Sequence, residues 1–120
     1  MTLLEGFLWL ALNVYHEGRS EPQIGQMAIA HVTLNRAQQQ DISIKEVIKQ
    51  PHQFQWVRGK KIHFPQNLPV FLQCMRSAFI ALNTRDFTAG ATHFHVKSIS
   101  PDWSSHLTYL NQYGSHKFYR

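Results

Sequence analysis

Apolar residues recur at helical spacing from the start of the chain. Leu4, Phe7, Leu8, Ala11, Leu12 and Tyr15 predict a helix over 3–16 with those side chains as its buried stripe and Trp9 and Asn13 off it. Gly18 is placed to end that helix in a left-handed turn. Glu21-Pro22 suits the start of the next, because proline fits the first helical position and a carboxylate is favoured at that end. The second helix is expected over 22–39, with Ile24, Met27, Ala28, His31, Val32 and Asn35 along one side. Gly25, Ala28 and Ala30 are small enough for another helix to come close. Ser43 and Glu46 have capping-box spacing for a short helix that Pro51 closes. A fourth helix over 68–83 spaces Phe71, Cys74, Met75, Ala78 and Leu82 for burial, and Val70, Phe79 and Ile80 broaden that face enough to predict a central helix.

Two segments alternate with the period of a strand. Residues 53–57 read as a strand or extended loop, with Gln53 and Gln55 on one side and Phe54 and Trp56 on the other. Residues 91–96 read as a strand with His93 and His95 on one face, turned to solvent or a cleft, and Phe94 and Val96 on the core face. Residues 86–90 form a loop, and 107–118 a closing hairpin with Tyr113-Gly114-Ser115 near its turn. Helices with a few short strands fit an α+β fold, and 120 residues make one domain, 1–120.

Composition narrows the function classes. A formal charge of +5 predicts attraction to polyanions: nucleic acid, anionic lipid or the bacterial cell wall. The single cysteine, Cys74, excludes an intramolecular disulfide and falls on a helix face expected to be buried. Residues 3–15 are apolar, but they lack a basic leader, contain Glu5 and run directly into the most chemically suggestive stretch of the chain. They are also too short to span a bilayer, so they read as a core helix of the mature protein rather than a signal peptide.

That stretch is 14–22, where an apolar helix ends on Glu17. The partial negative charge of a helix C-terminus disfavours a second negative charge and pushes a carboxyl towards its protonated form, as a general acid requires. Arg19 would oppose this if its side chain turned back. The residues alone leave two readings open, a general acid or a solvated final turn.

Seven short motifs follow in order: His16-Glu17-Gly18-Arg19; Gly25-Gln26 with Ala28 and Ala30; Leu34-Asn35-Arg36; Gln50-Pro51 with Gln53-Phe54-Gln55-Trp56; Gly90-Ala91-Thr92-His93-Phe94-His95; Pro101-Asp102-Trp103; and Gly114 to Tyr119. In that order, over about 11–119, the chain resembles the cell-wall hydrolase family typified by the spore-cortex-lytic enzyme SleB. It departs from that family at His16, where relatives often carry a smaller residue, and at Ser43-Ile44, where many have a cysteine. The resemblance implies a small, mostly helical, lysozyme-like domain with the acid at the end of the first long helix. It also implies an enzyme that cuts peptidoglycan strands between N-acetylmuramic acid and N-acetylglucosamine.

Glycoside hydrolysis usually takes two carboxylates. Of the seven acidic residues, Glu5 is three turns up the helix, Asp41 and Glu46 belong to the capped helix and its leading loop, Glu21 to a helix start and Asp86 to a loop. Asp102, beside Trp103, is the weak remaining partner. A mechanism with one acid, Glu17, is therefore favoured, and the family resemblance implies that it is a lytic transglycosylase rather than a muramidase or glucosaminidase on the same substrate. Gln53, His93, His95 and Tyr119 are candidates to bond sugar hydroxyls and N-acetyl amides, and Trp56 and Trp103 to stack on rings; a packing role is nearly as good a reading for each.

Two other classes stay in view. His93-x-His95 could hold a metal with His116, His63 or Glu17 as third ligand. Arg58, Lys60 and Lys61 among aromatic residues could serve a nucleic-acid binder. The favoured expectation is a monomer acting on peptidoglycan, without metal or other cofactor, nucleic-acid partner or stable membrane insertion. A lone catalytic domain of this kind would suit a phage endolysin, cytoplasmic until its release to the wall, or a lytic component of a virion; a bacterial protein exported by another route is also open.

Overall fold

The structure is a computed structural model and describes residues 2–51, 53–57 and 62–120. Among the described residues it has four α-helices, α1 (Leu3–Gly18), α2 (Gln23–Gln40), α3 (Ile44–Lys49) and α4 (Leu68–Leu82), followed by strands β1 (His93–Val96), β2 (Tyr109–Tyr113) and β3 (His116–Tyr119). The strands form one antiparallel sheet in the order β1-β3-β2. This is the expected α+β fold, mostly helical with a small sheet. The basic turn Arg58-Gly59-Lys60-Lys61 lies outside the described residues.

Both ends of α1 have a local cause. Thr2 accepts a hydrogen bond from the Glu5 amide at 3.1 Å, and the Gln26 side chain donates to the Gly18 carbonyl at 3.2 Å, satisfying a backbone group that the helix leaves unpaired. Gly18 differs from expectation. It is the last helical residue, and Arg19 caps the helix with φ −60°. A Cβ on Gly18 would sit 2.5 Å from Ile29 Cδ1, so the glycine leaves room for the Ile29 side chain where α2 packs on α1 and does not serve a left-handed turn. The capping box of Ser43 and Glu46 on α3 is present as expected.

The buried stripes differ from the sequence pattern. In α1 the core positions are Leu10, Ala11, Val14 and Tyr15, whereas Leu4 and Leu8 are exposed; the helix is apolar nearly all round, so periodicity did not single out the packed face. The central helix is α2 rather than α4. It packs against α1, α3, α4 and the sheet, and buries Ala28, Ile29, Ala30 and Val32 together with Gln26, His31, Thr33 and Arg36. Those polar side chains disguise its central place, because several of them find their partners only within the core. Gln26 accepts from Ser77 at 2.7 Å, and Asn13 of α1, fully buried, donates to Thr33 at 3.2 Å. On α4, Cys74, Ser77, Ala78 and Ala81 are buried, and Phe79 points outward. Burial pushes the Cys74 thiol up to about 11, leaving it a packing group.

Residues 55–57 form a single 3₁₀ turn instead of a strand. The hairpin is as expected, turning through Gly114 at φ +61°. A Cβ there would lie 2.9 Å from Glu21 Oε1 and 3.0 Å from Pro22 Cδ, so backbone conformation and space both require glycine. Gly114→Ala is expected to lower stability by about 1–3 kcal/mol, read as a shifted urea midpoint with unchanged slope.

Candidate active site

The last turn of α1, the segment before the 3₁₀ turn, β1, the β1–β2 connection and the start of β3 enclose a cleft of about 330 Å³. Glu17 lines it together with Gln53, Phe94, His95, Val96, Trp103 and His116. Burial pushes the Glu17 carboxyl from its ordinary 4.5 up to about 7, against the Arg36 cation, which acts the other way. The physical cause is thus desolvation by tertiary packing. The opposing cation is Arg36 rather than Arg19, whose guanidinium instead lies 5.4 Å over the Tyr15 ring.

Arg36 is a feature the sequence reading did not assign. It is 9 % exposed, and its Nε donates to the Thr92 carbonyl at 2.6 Å while a terminal nitrogen donates to Gln53 Oε1 at 2.9 Å. One buried cation therefore tethers the strand side of the cleft, orients Gln53 and tempers Glu17. Its burial lowers its own pKa to about 10. The Leu34-Asn35-Arg36 motif carried this signal, since an arginine on the inner side of a packed helix needs partners. Asn35 plays a neighbouring part, donating to the Ala91 carbonyl and to Asp86. Asp86 in turn accepts from Thr88 and Gly90 to shape the loop that leads into β1.

The predicted contact residues divide. Gln53, His95 and Trp103 line the cleft with Glu17, whereas Trp56, His93 and Tyr119 are not in its lining. Trp56 stacks on His16 with centroids 4.5 Å apart and donates its indole N–H to buried Asn13 at 2.8 Å, so it braces α1. This gives the unusual His16 a packing role. His93 lies against Thr92 and, at 5.3 Å, Trp103. The Tyr119 hydroxyl bonds His95 Nε2 at 2.8 Å, while His95 Nδ1 donates to the Val96 carbonyl at 2.7 Å. Both ring nitrogens of His95 are thus committed within the protein, and the ring is buried between Trp103 and Tyr119 instead of facing solvent. Among the described residues no three His, Cys, Asp or Glu side chains converge as a metal cluster.

Glu17 is the one carboxylate among the described residues lining this cleft. Asp102 is exposed on a short 3₁₀ turn over 102–105 and does not line it. Glu21 is engaged elsewhere: its oxygens accept from the Ser115 amide at 2.9 Å, from the Ser115 hydroxyl at 2.7 Å and from His116 Nδ1 at 2.5 Å. These bonds hold its pKa below the ordinary value despite burial. Glu21 precedes α2 as expected, but it works as a clamp between the helix start and the β2–β3 turn, 94 residues away in sequence. A larger concavity of about 630 Å³ lies on α3, where its carboxylate, Glu46, is engaged in the capping box.

Comparison with known proteins bears on the family and the fold. The chain is 30 % identical over 112 residues to a spore cortex-lytic enzyme of Halalkalibacterium halodurans, an alignment that covers 91 % of this chain and 33 % of that protein, so the chain spans about a third of the curated relative's length. The catalytic domain of the germination-specific lytic transglycosylase SleB from Bacillus anthracis superposes with a TM-score of 0.84 at 25 % identity, covering 99 % of this chain and 97 % of that one. The catalytic domain of Bacillus cereus SleB superposes with a TM-score of 0.78 at 27 % identity, covering 97 % and 91 %. The sequence profile described as Cell Wall Hydrolase matches residues 20–119, and on that match the chain belongs to the cell wall hydrolase family.

Proposed function

We propose that this protein degrades peptidoglycan as a lytic transglycosylase, cutting between N-acetylmuramic acid and N-acetylglucosamine with Glu17 as its single acid and base. The observation that carries the reading is a carboxyl with a pKa of about 7, in a cleft whose described lining holds no second carboxylate. At neutral pH such a group is present in both forms, as a residue that gives and then recovers a proton must be. Protonated Glu17 donates to the glycosidic oxygen as the C1–O bond breaks. The carboxylate then takes the proton from the muramic acid C6 hydroxyl, whose oxygen closes onto C1. Glu17 ends reprotonated, and no external water enters. Trp103 offers a ring face and Gln53 an amide for the sugar, the latter held by Arg36. The named relatives, a spore cortex-lytic enzyme and lytic transglycosylase SleB, support the same reading.

The products decide it. Purified peptidoglycan digested with the protein is expected to release fragments ending in 1,6-anhydro-muramic acid, one water lighter than hydrolysis products and resistant to borohydride. Fragments that carry the extra water and reduce fully would make the protein a hydrolase. Intact peptidoglycan after prolonged digestion would remove the activity altogether.

A further inference from the structure

His116 lines the cleft with Glu17, yet its Nδ1 is bound to the carboxylate of Glu21, which is not in the lining. The side chains of His116 and Glu21 are 12 % and 7 % exposed, so this pair is held inside the protein rather than on its surface. Glu21 is fixed by two further bonds from Ser115, and Gly114 leaves room for it to reach them. Phe94 packs edge-on against the imidazole at 5.4 Å and limits its rotation. A carboxylate accepts and cannot donate while ionised, so the proton between the two groups belongs to Nδ1. The neutral ring then has its lone pair on Nε2.

We propose that His116 is a substrate-contacting residue of the cleft, its Nε2 accepting a hydrogen bond from a hydroxyl or amide N–H of an N-acetylated sugar, and that Glu21 is the positioning residue that fixes its tautomer and ring plane. This rests on the reading of the cleft as a glycan site. It gives a physical reason for a buried clamp to join the start of α2 to the start of β3, where a turn could have been closed by backbone bonds alone. It also assigns the second buried glutamate a role that does not require it to touch substrate.

Imidazole ¹⁵N spectra of the wild-type protein at a pH where His116 is neutral are expected to show the Nδ1–H tautomer. Addition of a chitin tetramer as probe is expected to shift His116 Nε2 and the Trp103 indole together. Perturbation of Trp103 without His116 would overturn the proposal while leaving the glycan site intact. Perturbation of neither would overturn both. In digestion assays His116→Gln and Glu21→Leu are each expected to lower kcat/KM roughly tenfold, the scale of one lost hydrogen bond, with the double variant no worse than either. Leucine has no acceptor for Nδ1–H, so it frees the imidazole tautomer. A lowered melting temperature in Glu21→Leu with kcat/KM unchanged would reduce the pair to a structural clamp. Should Glu21→Leu fail to fold, the wild-type tautomer and its response to the probe still decide the matter.

Discussion

Glu17→Gln is expected to fold, to keep its affinity for cell wall and to lose lytic activity by about 10²–10⁴, the usual scale for removing a general acid and base. The amide preserves the shape of the last turn of α1 but can neither give nor recover a proton. In the wild type, activity should fall as pH rises above about 7, where the protonated carboxyl is lost. Stability gives an independent readout of the same group. A carboxyl pKa raised from 4.5 to about 7 means that the fold disfavours the ionised form; its contribution is fully present below the unfolded value and is lost as pH rises through the folded one. The glutamine variant has no such loss. Its melting temperature relative to wild type should therefore climb between pH 4.5 and 7 and then level off. Comparable lysis by both proteins, or a flat difference in melting temperature, would remove Glu17 from the proposed role.

Arg36→Met is expected to have the second-largest effect, because one guanidinium serves three neighbours. Without it the Thr92 carbonyl loses its side-chain donor, Gln53 loses its anchor, and Glu17 loses the cation that opposes its burial. Unfolding free energy should fall by on the order of 1–3 kcal/mol, the cost of leaving a buried polar group unpaired, offset in part by no longer burying a charge. The more specific consequence is electrostatic. The Glu17 pKa should rise further, so the basic limb of the pH–rate profile should move to higher pH even as the maximal rate falls with the freed Gln53. A limb that stays in place would show that Arg36 acts on structure alone.

Several features of the protein were legible in the residues themselves. The helix over 3–18, the capping box at Ser43, the hairpin turn at Gly114 and the final helix over 68–82 rest on local rules of spacing, capping and backbone conformation, and these operate within a few residues of chain. Glu17 stood out for the same reason, as a carboxylate at the end of an apolar helix. The ordered motifs pointed the chain as a whole to the cell wall hydrolase family.

Tertiary structure decided whatever depended on which surfaces meet. Periodicity could not choose the packed face of α1, apolar almost all round, and it underrated α2, whose buried polar residues look exposed until their partners are known. It did not foresee that Trp56 would brace α1 through Asn13, or that His95 would have both ring nitrogens engaged within the protein. The raised pKa of Glu17 was expected from the helix end, but its cause is desolvation by elements that close over it. The cation that tempers it comes from a different helix. The Glu21–His116 contact spans 95 residues, a separation at which no local pattern operates. Helix ends and turns are local and can be read from sequence; burial, charge pairing and the contents of a cleft are sums over distant neighbours and exist only once the chain has folded.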